Sequence, residues 1–126
     1  MLAETDANGT TQAAYTQTPD TYGALISQRR SNASSFFDFD ALGSTMELTD
    51  ASQAITDTWR YEAFGETKAR TGTTANPFGF VGELGYYEEA ALGLHYVRAR
   101  WYEAGRGRWV STDPAERFAE YGYVAN

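Results

Sequence analysis

The chain has 126 residues, enough for one domain with a modest core or for a piece of a larger one. Its net charge of −7 argues against nucleic-acid binding by the chain as a whole. The absence of cysteine excludes a disulfide framework, a thiolate metal site and a cysteine nucleophile.

Aromatic residues make up 15% of the chain, and flat rings favour pleated surfaces. Met1–Gly9 holds neither the basic nor the apolar run of a secretory leader, so no signal peptide is expected in this chain. No apolar run approaches the length of a membrane span. Charge is uneven: residues 1–90 carry 13 acidic and 5 basic side chains, residues 91–126 carry 4 and 5. This pattern predicts a solvated acidic surface and one arginine-rich hairpin.

In chain order, residues 1–20 are small and polar, with turn chemistry at Asp6-Ala7-Asn8-Gly9 and Thr18-Pro19-Asp20. This end reads as frayed, with one short strand near Ala13–Thr16. Tyr22–Ser31 is the first full strand, closed by a turn at Ser31-Asn32-Ala33. Ser35–Phe39 follows, with Phe37 and Phe39 on one face, and Leu42-Gly43 reverses the chain. In the next strand Met46 and Leu48 point one way, Glu47 and Thr49 the other. Asp50-Ala51-Ser52-Gln53 turns again. Ile55, Asp57, Trp59 and Tyr61 share one strand face, whose apolar character only Asp57 breaks.

Thr67–Ala75 is small and polar and reads as an exposed loop. Asn76-Pro77 opens an extended segment, Phe78–Val81, and Gly82–Ala91 reads as another loop. Leu94–Tyr102 is predicted as one strand, Glu103–Gly107 as a turn and Arg108–Ser111 as the returning strand. Pro114, Glu116 and Gly122 frame one short helix over Ala115–Tyr121. The strand spacing implies antiparallel hairpins.

One unit recurs: an aromatic, an acid, two residues, then glycine. Phe39-Asp40-Ala41-Leu42-Gly43 returns as Tyr61-Glu62-Ala63-Phe64-Gly65, and Asp20-Thr21-Tyr22-Gly23 precedes both without the aromatic. Tyr102-Glu103-Ala104-Gly105-Arg106-Gly107-Arg108 is a longer form. The acid bonds the turn backbone and the glycine supplies the positive φ of a chain reversal.

These units resemble the tyrosine–aspartate–x–x–glycine repeat of the Rhs/YD-repeat family. Three further segments resemble its repeat-associated core. They are Asn76-Pro77-Phe78-Gly79-Phe80-Val81-Gly82, then Gly93-Leu94-His95-Tyr96-Val97-Arg98-Ala99-Arg100-Trp101-Tyr102, then Gly107-Arg108-Trp109-Val110-Ser111-Thr112-Asp113-Pro114. The resemblance covers roughly residues 36–126, a core segment whose C-terminal continuation is missing; residues 1–35 read as a degenerate repeat or a frayed region. Glu62 and Glu103 stand where the repeat has Asp, Gln53 stands at a turn-glycine position, and His95 replaces a common tyrosine.

The resemblance implies an all-β fold of antiparallel hairpins, part of a larger wrapped sheet that closes into a shell. It implies a non-catalytic structural segment that encapsulates or presents a C-terminal toxin, or mediates interaction at the cell surface. The parent would be secreted or surface-exposed, and the partners would be the rest of the same polypeptide or a neighbouring shell, the toxin, or glycans. No cofactor and no metal site is expected. A carbohydrate-binding module using Trp101 and Trp109 is a further alternative.

Many relatives carry an aspartyl self-cleaving device built from two Asp-Pro-x-Gly motifs. Asp113-Pro114 resembles the start of the first, but Glu116 occupies its glycine position and the second would fall beyond Asn126. An aspartic dyad needs two carboxylates sharing a proton. Asp113 is therefore the single catalytic candidate, and only in a longer chain; here it reads as a turn and capping acid. Glu88 with Glu89, and Asp38 with Asp40, are sequence neighbours without the geometry of a paired-acid site. His95 stands alone and reads as a half-buried strand residue. Arg98 and Arg100 are expected on one strand face, paired with acids such as Glu83, Glu88 or Asp57. Open sheet edges predict marginal stability and solubility in isolation.

Overall fold

The computed structural model describes residues 2–21, 23–114 and 121–123. Two antiparallel sheets contain nearly all of the regular structure. The first is a seven-stranded meander: β1 (Leu2–Thr5), β2 (Thr11–Gln17), β3 (Leu25–Arg30), β4 (Ala33–Phe39), β5 (Thr45–Thr49), β6 (Ile55–Tyr61) and β7 (Thr67–Thr71), each paired with its sequence neighbour. The second holds β8 (Tyr87–Glu89), β9 (Leu94–Val97), β10 (Arg100–Glu103) and β11 (Arg108–Trp109), again in consecutive order. Two single-turn 3-10 helices, Gly82–Leu84 and Ala104–Arg106, interrupt the strands. The helix expected over residues 115–121 falls, except for Tyr121, outside the described residues.

The meander is built on one turn used repeatedly. Asp6, Asp40 and Asp50 each accept two backbone N–H bonds from the residues two and four positions on, through Oδ1 at 2.8–3.0 Å. In the same turns the amide of the fourth residue donates to the acid's carbonyl: Gly9 to Asp6, Gly43 to Asp40 and Gln53 to Asp50, each at 3.0 Å. Gly23 to Asp20 at 3.1 Å and Gly65 to Glu62 at 2.9 Å complete the series. The longer Glu62 side chain pairs with Lys68 at 3.2 Å. Gln53 adopts φ +68 in the place where the other turns put glycine, a conformation that costs an ordinary residue about 1–2 kcal/mol. Each of these hairpins shifts register by one residue where a strand meets the turn. Such bulges bend a strand and increase its twist. The exception is the tight β3–β4 turn, where Ser31 and Asn32 both take positive φ, the two-residue hairpin geometry.

One face of the meander is covered by the chain itself. The segment 72–85 crosses it, held by four of the five buried polar residues. Gln28 donates to the Ala75 carbonyl at 3.0 Å, the Thr45 hydroxyl to the Phe78 carbonyl at 2.6 Å, and the Thr45 amide to the Gly79 carbonyl at 2.9 Å. Ser44 Oγ accepts from the Val81 amide at 3.1 Å, and Asp57 Oδ1 accepts from the Thr74 amide at 2.8 Å. Phe78 enters the cluster of Ala13, Tyr15, Leu25, Phe37, Leu48 and Trp59.

Asp57, the residue that breaks its strand's apolar pattern, is thus an anchor. Its side chain is 1% exposed, with Arg70 at 3.9 Å, and Arg70 in turn lies 4.9 Å from the Trp59 ring centre. Burial alone would push the carboxyl upward, but the Thr74 and Thr56 hydroxyls, the Thr74 amide and the Arg70 charge outweigh it and hold Asp57 below its ordinary value. A carboxylate depressed in this way contributes stability above its unfolded pKa of about 3.9, lost as the pH falls through the lower folded value. Asp57→Asn is expected to cost about 1–3 kcal/mol at neutral pH in urea unfolding, because a buried charge-assisted acceptor is weakened. The same variant should show a shallower loss of stability below pH 4 than the parent chain.

Several sequence expectations are corrected here. Residues 2–17 form a full hairpin instead of a frayed end with one short strand. Thr67–Thr71 is a strand, not a loop; its side chains are exposed on both faces, which removes the alternation that signals a strand. Gly82–Ala91 contains a 3-10 turn and β8. Leu94–Tyr102 is a hairpin of β9 and β10, reversed at Arg98-Ala99, where Arg98 takes φ +55.

Candidate functional site

The motif residues assemble around the second sheet. Phe80, Val81, Tyr102, Ala104 and Trp109 form a second core cluster, joined by Tyr61, Tyr86, Val97 and Tyr123. The Tyr102 hydroxyl donates to the Phe64 carbonyl at 2.6 Å, tying β10 to the β6–β7 turn. Burial, then the neighbouring Tyr86, pushes the Tyr102 phenol up to about 12, so it remains a proton donor at neutral pH.

Arg100, Trp109 and Asp113 meet at one edge. The Arg100 guanidinium carbon lies 3.9 Å from the Trp109 ring centre, and its Nη2 lies 3.5 Å from Asp113 Oδ2. The two charged side chains are 16% and 24% exposed, so the pair is partly shielded from solvent screening. A guanidinium stacked on an indole and facing a carboxylate is a fixed structural clasp.

The other motif residues have equally definite places. Asn76 Oδ1 accepts from the Phe78 amide at 3.0 Å, and the Pro77 carbonyl accepts from the Glu88 amide at 2.7 Å, so this pair shapes the crossing segment and joins it to β8. Tyr61 donates to the Thr45 carbonyl at 2.8 Å. Gly82 is buried beside Phe78 Cβ. Gly93 and Gly107 take positive φ in turns, and Gly65 does so against the Phe80 ring. Leu94 is half-buried on β9, while Arg108, Ser111 and Pro114 are exposed. Tyr96 packs against Trp101 with ring centres 5.1 Å apart.

The geometry separates residues that the sequence reading put together. Arg98 sits in the turn and donates to the Leu84 carbonyl at 3.4 Å, so it does not share a strand face with Arg100. Arg100 pairs with Asp113, and Asp57 with Arg70, instead of with each other. Glu88 and Glu89 alternate along β8, and Asp38 lies in β4 while Asp40 caps a turn. Trp109 is 8% exposed, so of the two tryptophans only the half-buried Trp101, packed against the exposed Tyr96, is open to a sugar. His95 is more buried than expected, at 5% exposure. Among the described residues no group of His, Asp and Glu could hold a metal ion, and no helix is long and apolar enough to cross a membrane.

The anchors Gln28, Ser44 and Thr45 were missed by sequence reasoning. They are uncharged polar side chains, Gln28 and Thr45 on strands and Ser44 directly before one, that pass for solvent-facing positions. Asp57 carried the one visible signal, a charge on an otherwise apolar face.

A consecutive antiparallel meander with repeated acid–x–x–glycine turns and an Asn-Pro-Phe segment laid across its face is the architecture of a YD-repeat shell. The chain belongs to the Teneurin YD-shell family, which residues 7–121 match. It is 29% identical over 117 residues to the tRNA3(Ser)-specific nuclease WapA of Bacillus spizizenii, covering 90% of this chain and 5% of that protein. It is 32% identical over 83 residues to double-stranded DNA deaminase toxin A of Burkholderia cenocepacia, covering 62% of this chain and 6% of that one. Among solved structures, the fold resembles a chain of the TcdB2-TccC3-Cdc42 crystal structure with a TM-score of 0.74 and 20% identity, over 94% of this chain and 6% of that one. The Photorhabdus luminescens Tc holotoxin pore gives a TM-score of 0.72 at 18% identity, over 97% of this chain and 6% of that one. The chain thus spans a small fraction of the length of these relatives and is a YD-shell segment of the Rhs/YD-repeat family.

Proposed function

We propose that the chain is a non-catalytic segment of a β-shell that encapsulates or presents a C-terminal toxin in a secreted or surface-exposed parent. The observation that supports this is the covered face of the meander. Four buried polar side chains hold residues 72–85 across it, so strand wall and covering segment form one closed piece of wall. The relatives named as a nuclease and a deaminase toxin fit a shared wall attached to different cargoes. Asp113 serves this wall through its pair with Arg100, which supports a structural role over self-cleavage.

The test uses the full open reading frame that carries this chain. Limited proteolysis is expected to leave the sequence beyond Asn126 protected, and Phe78→Ala to expose it. Equal digestion of that sequence in both proteins, or an open reading frame with no downstream domain, would overturn encapsulation. Asp113→Asn is expected to leave the polypeptide pattern unchanged on a denaturing gel. Cleavage that disappears in this variant would overturn the non-catalytic reading.

A further inference from the structure

A groove of about 350 Å³ opens between the β6–β7 turn, the β8–β9 hairpin and the 3-10 turn after β10; its walls include Glu66, Glu88, His95 and Glu103. This is within the size range of small-ligand sites. None of its polar residues belongs to the Arg100–Trp109–Asp113 clasp or to the anchors of the crossing segment.

Two of these groups are buried or half-buried without a partner. His95 is 5% exposed, and its Nδ1 has no hydrogen bond among the described residues. Glu88 lies directly opposite His95 in the β8–β9 register. Its amide is bonded to the Pro77 carbonyl, but its half-buried carboxylate makes no hydrogen bond or close ion pair among the described residues. Buried polar groups in folded proteins are almost always satisfied, so the open Nδ1 of His95, facing the half-buried Glu88, marks a place where something else supplies the partner.

The charges say what kind of partner. Glu66, Glu88 and Glu103 contribute three carboxylates. Arg106, outside the lining, lies 3.5 Å from Glu103, and Arg70 acts on Glu88 from the neighbouring sheet. Burial holds Glu88 above its ordinary value and His95 below its own. A cation in the groove would offset the first, and a neutral imidazole offers it a lone pair. A metal ion does not fit, because no set of His, Asp and Glu among the described residues converges closely enough to coordinate one. Carboxylates spread around a groove suit an extended organic cation with several N–H donors.

We propose that this groove binds the guanidinium or ammonium group of an arginine or lysine side chain, with Glu66 and Glu103 as the outer carboxylates, Glu88 as the inner one and His95 as the floor. The site stands independently of the shell reading, since it rests on side chains that the wall does not use.

His95 is the single histidine of the chain, so its imidazole gives one unambiguous proton NMR signal. The test titrates the chain with N-acetyl-arginine methylamide, N-acetyl-lysine methylamide, a triarginine peptide and, as a neutral control, N-acetyl-glutamine methylamide. The cationic probes are expected to move the His95 signal saturably and the neutral one to leave it in place. The double variant Glu66→Gln, Glu103→Gln is expected to weaken binding about tenfold or more, with Glu66→Gln alone, on an exposed turn, giving a smaller loss in an otherwise unchanged spectrum. Comparable affinity for amide and peptide would identify a small-molecule amine as the source; tenfold tighter peptide binding would identify a basic polypeptide segment. A non-saturating shift, an equal response to the glutamine probe, or undiminished binding by the variants would overturn the proposal.

Discussion

Phe78→Ala is expected to destabilise the chain by about 3–5 kcal/mol, the range for removing a large aromatic from a packed core. Phe78 is 3% exposed. Its ring meets Tyr15 edge-on at 5.0 Å and Tyr87 at 5.7 Å, so it joins the meander's cluster to the first strand of the second sheet. The loss is a large share of the 5–15 kcal/mol by which a typical domain is stable. Urea unfolding followed by tryptophan fluorescence measures it, since Trp59 belongs to the same cluster. Phe36→Ala is the internal control: Phe36 is 42% exposed on the opposite face of the meander, and surface substitutions of this kind stay within about 0.5 kcal/mol. Similar losses at the two positions would mean that residues 72–85 rest loosely on the sheet and are not its core.

That contrast also shows what sequence pattern could and could not reveal. Alternation placed Phe37, Leu48, Trp59 and Tyr61 on strand faces, and the acid–x–x–glycine unit marked the turns, because both signals are local. The same unit at Asp6 and Asp50 was legible only as isolated turn chemistry, since Thr5 and Thr49 stand where the aromatic would be and Gln53 replaces the second turn's glycine. β7 was illegible because all five of its residues are exposed; a strand with no buried face has no period. The β9–β10 reversal was illegible because Arg98 and Ala99 lack turn chemistry, and Arg98 takes φ +55 without being glycine, asparagine or aspartate. The clasp of Arg100, Trp109 and Asp113 was foreshadowed as a motif but not as a contact. A cation–π stack joins residues nine apart across a hairpin whose register only the fold sets. The facing of His95 and Glu88 was illegible, because it depends on β8, a strand hidden in what reads as a loop.

Gly65→Ala is expected to cost about 2–5 kcal/mol, combining two separable penalties. Gly65 has φ +98, which disfavours any L side chain by about 1–2 kcal/mol. A Cβ added there would lie 2.3 Å from Cδ1 and 2.5 Å from Cγ of the Phe80 ring, and overpacking of this kind adds about 1–3 kcal/mol. The ring has little room to yield, because Tyr61, Tyr86, His95, Tyr102 and Tyr123 surround it with centres 6.0–6.4 Å away. Gly9 isolates the two penalties. It holds the equivalent place in the Asp6 turn, has φ +80, and an added Cβ would meet nothing within 4 Å. Gly9→Ala should therefore cost only the backbone part, and the difference between the two variants in urea unfolding reports the packing of the β6–β7 turn on Phe80. Equal costs would show that Phe80 moves aside freely and that the turn is not locked to the second sheet. A clearly larger cost at Gly65 would show that one repeat's glycine has two functions. It reverses the chain, as in every copy, and it leaves the space through which the meander grips the sheet folded against it.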